Sequence, residues 1–276
     1  GEAMNFQAFA ECHGLIINHL VMNRWVRCPT VDHPSKKNGA YIFTGDSGAI
    51  QNWASHEKAI AWHPDEPVFV DQAKVLADRK KAQEEAKQKR IAAEKKAGYI
   101  MHNAKVDHHP YLTAKGFPEE KGWVYEGSLV IPMRTEYGLC GCQMISAGGQ
   151  KRFLSGQRTK GASAVFDNKG RTILCEGYAT ALSIRRALKA VRTRYKIIVC
   201  FSAGNLKQIA SCESDCFIVA DHDESGTGQR VAKETGRPYW LAPCVGYDFN
   251  DYELEVGAKS AGESLVNEML RWEGLL

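Results

Sequence analysis

The chain has 276 residues, of which 44% are hydrophobic and 25% charged, with a formal net charge of +4. A chain of that length holds about two domains with their own cores, and this balance excludes a disordered or collagen-like class. The modest positive charge permits nucleic-acid binding without requiring it.

No apolar run reaches the roughly eighteen residues a membrane-spanning helix needs, since Asn18 and His19 interrupt the stretch 15–22. Gly1 to Met4 reads as a cloning scar with no signal peptide after it, so a cytoplasmic location and no membrane partner are expected. Nine cysteines, an odd number without regular spacing, fit a reducing compartment better than a disulfide framework.

In chain order, residues 5–68 read as a small α+β module. Phe6, Phe9, Ala10, Leu15 and Ile16 recur with a helical period, and short β-like runs follow at 25–27 and 41–43. Trp25, Arg27, Lys36, Lys37, Tyr41, Phe43 and Trp53 interleave basic and aromatic residues, a pattern that serves either single-stranded bases or an ordinary small core. No paired Cys-x-x-Cys occurs, and Cys12, His13, Cys28 and His33 fit no zinc knuckle, so zinc is not expected.

Residues 69–104 read as a connecting helix, because 70–96 is rich in Ala, Lys, Glu, Gln and Arg and holds no Gly or Pro. Residues 105–168 are strand-rich, with strands expected at 128–133, 139–145 and 151–154. From 169 to 276 strands alternate with helices: strands at 172–175, 196–201 and 216–220, helices at 179–188 and 206–211. That alternation predicts an α/β fold with a parallel sheet and flanking helices, whose ligands gather at the carboxyl ends of the strands.

Acidic residues stand at those ends. Glu176 follows the 172–175 strand, and Asp221 and Asp223 follow the 216–220 strand, spaced so that both side chains share one face. Converging carboxylates repel unless protons or a divalent cation neutralise them, and oxygen donors suit Mg²⁺ or Mn²⁺. The same Asp-x-Asp also serves as a turn or helix cap. Asp248 and Asp251 pose the same choice between a second metal site and a cap for the helix around Tyr252.

The runs Cys175-Glu-Gly-Tyr-Ala-Thr-Ala-Leu182, Val219-Ala-Asp-His-Asp-Glu224 and Asp248-Phe-Asn-Asp251 resemble, in order and spacing, a TOPRIM domain. Upstream, His109-Pro-Tyr-Leu-Thr-Ala-Lys-Gly116, Leu129-Val-Ile-Pro-Met-Arg134 and Lys151-Arg-Phe-Leu-Ser155 resemble the polymerase core of bacterial-type primases, in detail those of phages, plasmids and other mobile elements. The family's Asp-Gly-Asp is here Asp221-His222-Asp223, with His222 expected to play a structural part.

The resemblance implies a DNA primase that synthesises short RNA primers on single-stranded DNA by metal-dependent nucleotidyl transfer. It makes Glu176, Asp221 and Asp223 catalytic metal ligands, with Asp248 and Asp251 in support. It places Arg134, Lys151 and Lys160 toward template or nucleotide, with Arg152 and Arg158 added by proximity. It implies nucleoside triphosphates and a replicative helicase as partners, the latter a separate chain or a missing domain. A TOPRIM nuclease and a non-catalytic nucleic-acid adaptor are the alternatives.

Overall fold

The computed structural model describes residues 5–276, so the reading of Gly1 to Met4 lies outside the described residues. The chain divides into two compact units, one up to Gln88 and one from Lys89.

In the first unit, helix α1 (Phe6–Cys12) starts where the Asn5 side chain accepts from the Ala8 N–H. An antiparallel sheet follows in simple order: β1 (Val26–Cys28), β2 (Gly39–Phe43), β3 (Gly48–Asn52) and β4 (Ile60–Trp62). One face of that sheet buries Cys28, Tyr41 and Ile50 against Phe6, Ala10, Leu15 and Ile17. Tyr41 and Phe43 therefore belong to the core: Tyr41 is fully buried, and the Phe43 ring stacks on Phe6 at 4.7 Å.

Helix α2 (Gln72–Asn103) lies within the expected 69–104 and runs seven residues past 96, where the stretch read as free of Gly and Pro ends. The reason lies in its last turns. Ala93, Ala97 and Ile100, spaced to share one helix face, pack with Val130, Cys142, Met144 and Leu154. Burial of that stripe carries the helix through Gly98, which composition alone would count against it.

The second unit holds two sheets. The first is antiparallel, in the order β5 (Lys105–Asp107), β6 (Gly122–Tyr125), β7 (Ser128–Thr135), β8 (Gly138–Ile145) and β9 (Lys151–Phe153). Short helix α3 (Pro110–Ala114) sits between β5 and β6, with the His109 ring accepting from the Tyr111 N–H and Pro110 in its first turn. Residues Leu129, Ile131 and Ile145 bury with Tyr111, Leu112 and Phe117, and with Ala179 and Leu182 of the following layer.

The second sheet has the order β10 (Ala164–Asp167), β12 (Tyr195–Val199), β11 (Arg171–Cys175), β13 (Cys216–Ala220) and β14 (Tyr239–Leu241). All neighbours are parallel except the edge strand β10. Strict alternation divides its side chains. Ile173, Cys175, Ile197, Val199, Phe217 and Val219 face one core, which includes helix α4 (Tyr178–Ala190), α7 (Phe249–Val256) and α8 (Ala258–Trp272). Leu174, Ile198, Cys200, Cys216, Ile218 and Ala220 face the other, under α5 (Ala203–Cys212) and α6 (Thr227–Thr235). The expected α/β fold, with its sheet of mainly parallel strands between flanking helices, is the observed one. Among the described residues no helix is long and apolar enough to cross a membrane.

Candidate active site

Three connections bring acids to one end of the parallel sheet. After β11 the chain passes through Glu176 into α4, and the Glu176 carbonyl accepts from the Phe201 N–H at 2.8 Å, extending the β11–β12 pairing by one step. Phe201 is held at φ 70°, a left-handed conformation uncommon for so bulky a residue. After β13 comes Asp221. His222 then ties this strand end to the loop before α7: its N–H donates to Tyr247 O at 2.9 Å, and its Nδ1 lies 2.7 Å from Ala242 O. That tie brings Asp248 alongside. His222 thus joins two site loops through backbone partners.

Glu176, Asp221 and Asp248 line one cavity of about 170 Å³. Facing them are Lys151 from β9 and Lys115 from the turn after α3, with Tyr111, Gln143 and Thr180 completing the walls. Burial, then the charges of Glu176, Asp248 and Asp223, push the Asp221 carboxyl up to about 7, against the pull of Lys151. Burial and Asp223 likewise raise Glu176. Lys151 shifts the other way, lowered first by desolvation and then by Lys115. The Tyr111 hydroxyl is pushed up to about 12 by burial and by Asp248.

Asp223 and Asp251 stand differently. The Asp223 carboxylate accepts from the Thr227 N–H at 2.9 Å and from the Ser225 hydroxyl at 2.9 Å, at the turn into α6, while its charge still acts on Glu176. Asp251 is exposed and closes a capping box with Asp248, each carboxylate accepting from the other's backbone N–H. Asp223 therefore braces the turn into α6, and Asp251 is the third-residue partner of the N-cap Asp248 in α7, beside the metal-binding reading that sequence left open.

The basic residues divide as well. Lys151 and Arg152 adjoin on β9 and so face opposite ways: Lys151 lines the acidic cavity, whereas Arg152 lines a separate hollow with Tyr125 and Met144. Arg134 follows a bulge in β7 and lines a larger groove of about 490 Å³ with Trp123, Ser163, Phe166 and Tyr178. Arg158 Nε donates to Lys160 O at 3.1 Å, and Lys160 is exposed. Buried Asn205 pins this loop to the end of β12, accepting from Gly161 N–H and donating to Ala162 O and Cys200 O.

Residues 171–259 match the family model described as Toprim domain. Over those residues the mainly parallel sheet and its flanking helices form a Toprim domain. A chain of a solved structure, described as bacteriophage T7 lagging-strand DNA polymerase interacting with primase domains of two gp4 subunits bound to an RNA/DNA hybrid and dTTP, is similar at a TM-score of 0.43 and 11% identity. That similarity covers 60% of this chain and 91% of the other.

The Toprim acids fit a divalent cation. Asp221 Oδ1 is buried without a hydrogen-bond partner, and burial and the acids around it raise its carboxyl, so a cation placed among these carboxylates is favoured. Among the described residues no three His, Cys, Asp or Glu side chains form a ready-made metal cage. The donor set suits Mg²⁺ or Mn²⁺, which take one or two carboxylates together with waters and substrate phosphate. Sequence reasoning did not single out Lys115, Tyr111, Gln143 or Thr180. Lys115 and Tyr111 lie within the 109–116 motif and Thr180 within the 175–182 run, the available signals, while Gln143 carried none.

Proposed function

We propose that the chain is a DNA primase, joining ribonucleotides on a single-stranded DNA template. The observation that carries this reading is the two-sided cavity: Glu176, Asp221 and Asp248 on one wall, Lys115 and Lys151 of the preceding subdomain on the other. A polyphosphate substrate needs cations opposite its metal-binding acids, and two lysines supply charge where a triphosphate would leave the metal.

Asp221 and Asp248 would hold the divalent ion, with Asp223 adding charge from the turn into α6. The bound ion supplies Lewis-acid stabilisation of the phosphoryl oxygens and of the departing pyrophosphate. Lys115 and Lys151 bind and orient the triphosphate. The raised carboxyl of Glu176 is suited to take the proton from the attacking 3′-hydroxyl. The reaction forms the O3′–Pα bond and breaks the bond from Pα to the bridging oxygen, so pyrophosphate leaves. The groove of Arg134 and Trp123 offers an aromatic and a cationic surface along which template bases would pass. Replication of a phage, plasmid or other mobile element, in the cytoplasm and beside a helicase, is the context proposed for it.

The test is incubation of the chain with single-stranded DNA, labelled nucleoside triphosphates and Mg²⁺ or Mn²⁺, beside Glu176→Gln and Asp221→Asn variants. New short oligonucleotides from the parent and none from the variants support the primase. Degraded template instead identifies a nuclease, and binding without either product an adaptor.

A further inference from the structure

The first unit contains a groove of about 530 Å³, the size of a nucleotide site. Its floor is Ile42, on the sheet face opposite the buried Tyr41. One wall is the face of α2 that carries Arg79, Ala82, Gln83 and Ala86, residues at helical spacing. The two alanines keep the groove open where larger side chains would fill it. The other wall is Trp25, 53% exposed.

At the groove, Asn23 is only 3% exposed and is held at both ends. Its N–H donates to Phe43 O at 2.8 Å, and its Nδ2 donates to the Asp78 carboxylate at 2.8 Å. The carboxylate can only accept, so the amide cannot be turned round, and the oxygen left over is Oδ1. That buried oxygen has no hydrogen-bond partner. An unmet buried acceptor is costly, so a ligand with an N–H directed at it is favoured. Arg24 is occupied by Glu85 at 2.9 Å, whereas Arg79 makes no hydrogen bond or ion pair among the described residues.

We propose that this groove seats one base of a single-stranded nucleic acid, the ring against Trp25, an N–H of the base donating to Asn23 Oδ1, and a neighbouring phosphate at Arg79. A flat ring, a hydrogen-bond donor on its edge and an anion beside it are together the chemistry of a nucleotide in a strand. Peptide side chains seldom combine all three. The site is separate from the carboxylate cavity and does not depend on what reaction occurs there.

The experiment measures binding of a labelled single-stranded oligodeoxynucleotide to the whole chain by fluorescence anisotropy, in EDTA and without nucleoside triphosphates. Trp25→Ala weakens binding about fivefold or more, the scale of a lost base–aromatic stack. Trp25→Phe, which keeps a ring and guards against a folding defect, restores it to within about twofold of the parent. Arg79→Ala weakens binding and lowers the dependence on log salt by about 0.7, one phosphate contact to a single strand. Parental affinity in Trp25→Ala overturns the proposal, as does a Trp25→Phe as weak as Trp25→Ala. Primer synthesis by the parent, measured in parallel, tests the primase reading by itself: its absence with the variant pattern intact sinks that reading and leaves the groove assignment standing.

Discussion

Asn250 of α7 donates its side-chain amide to the main-chain carbonyl of Lys115 at 2.9 Å and to the Ser183 hydroxyl of α4 at 2.8 Å. A buried residue of the Toprim fold thereby holds the turn that carries a lysine of the antiparallel subdomain. Beside it, Arg186 donates to Gly116 O and to the buried Glu253 carboxylate, and the Leu254 side chain closes on Gly116, where a Cβ would come within 2.3 Å. The lysine, at the C-cap of α3, is held in place by this clamp.

Replacing Asn250 by Leu should leave Lys115 O and the Ser183 hydroxyl without their donor. The expected cost is about 1–3 kcal/mol of stability, read from urea unfolding. Nucleotidyl transfer should fall further than stability explains, with KM for the triphosphate rising as Lys115 loses its place. An unchanged KM would show that Lys115 needs no such clamp.

Asp221 gives a pH dependence of definite sign. Its carboxyl is raised from 3.8 to about 7 in the folded protein, so between those values the native state holds a proton that the unfolded chain has released. The contribution of Asp221 to the stability of the metal-free protein is therefore full below about pH 4 and is lost as pH rises through about 7, by at most about 4 kcal/mol. Glu176 and Asp248, both raised, add in the same direction. Thermal melts in EDTA should show the decline, Asp221→Asn should flatten it, and Mg²⁺ at pH 8 should restore the melting temperature.

Lys151 opposes the rise of both Glu176 and Asp221. Lys151→Gln should move the acid limb of the pH–rate profile upward and reduce kcat/KM about a hundredfold, in the range for loss of one electrostatic contact at a reacting group. Arg152→Gln, on the opposite side of β9, should change kcat/KM by less than about threefold, since it reaches none of the reacting charges. Equal losses in the two variants would contradict the division that the strand imposes.

Gly228 lies in the first turn of α6, where a Cβ would come within 2.3 Å of the Asp221 carbonyl oxygen. That neighbour is backbone and cannot rotate away. Gly228→Ala should displace the Asp221 strand end, weaken Mg²⁺ binding by about tenfold, and cost about 1–3 kcal/mol of stability. Calorimetric titration with Mg²⁺ checks the first effect and thermal melting the second.

Periodicity and short motifs are local, and what they report is local. The strand 216–220 was read to the residue, and the carboxylates Glu176 and Asp221 were placed correctly at strand ends, because a short continuous apolar run and the order of the elements sufficed. The α/β class followed from the same pattern. Which acids share a cavity did not: Asp248 and Asp251 look equivalent in sequence, and only the capping box sends one toward Glu176 and the other to solvent. The same holds for Lys115, 61 residues from Glu176 in the chain and brought to it by Asn250, a contact across 135 residues. Sequence by itself determined the elements and the chemistry available at their ends. Tertiary structure decided which of those groups meet, because a cavity is made by side chains from distant elements, and its charge and burial belong to the packed whole.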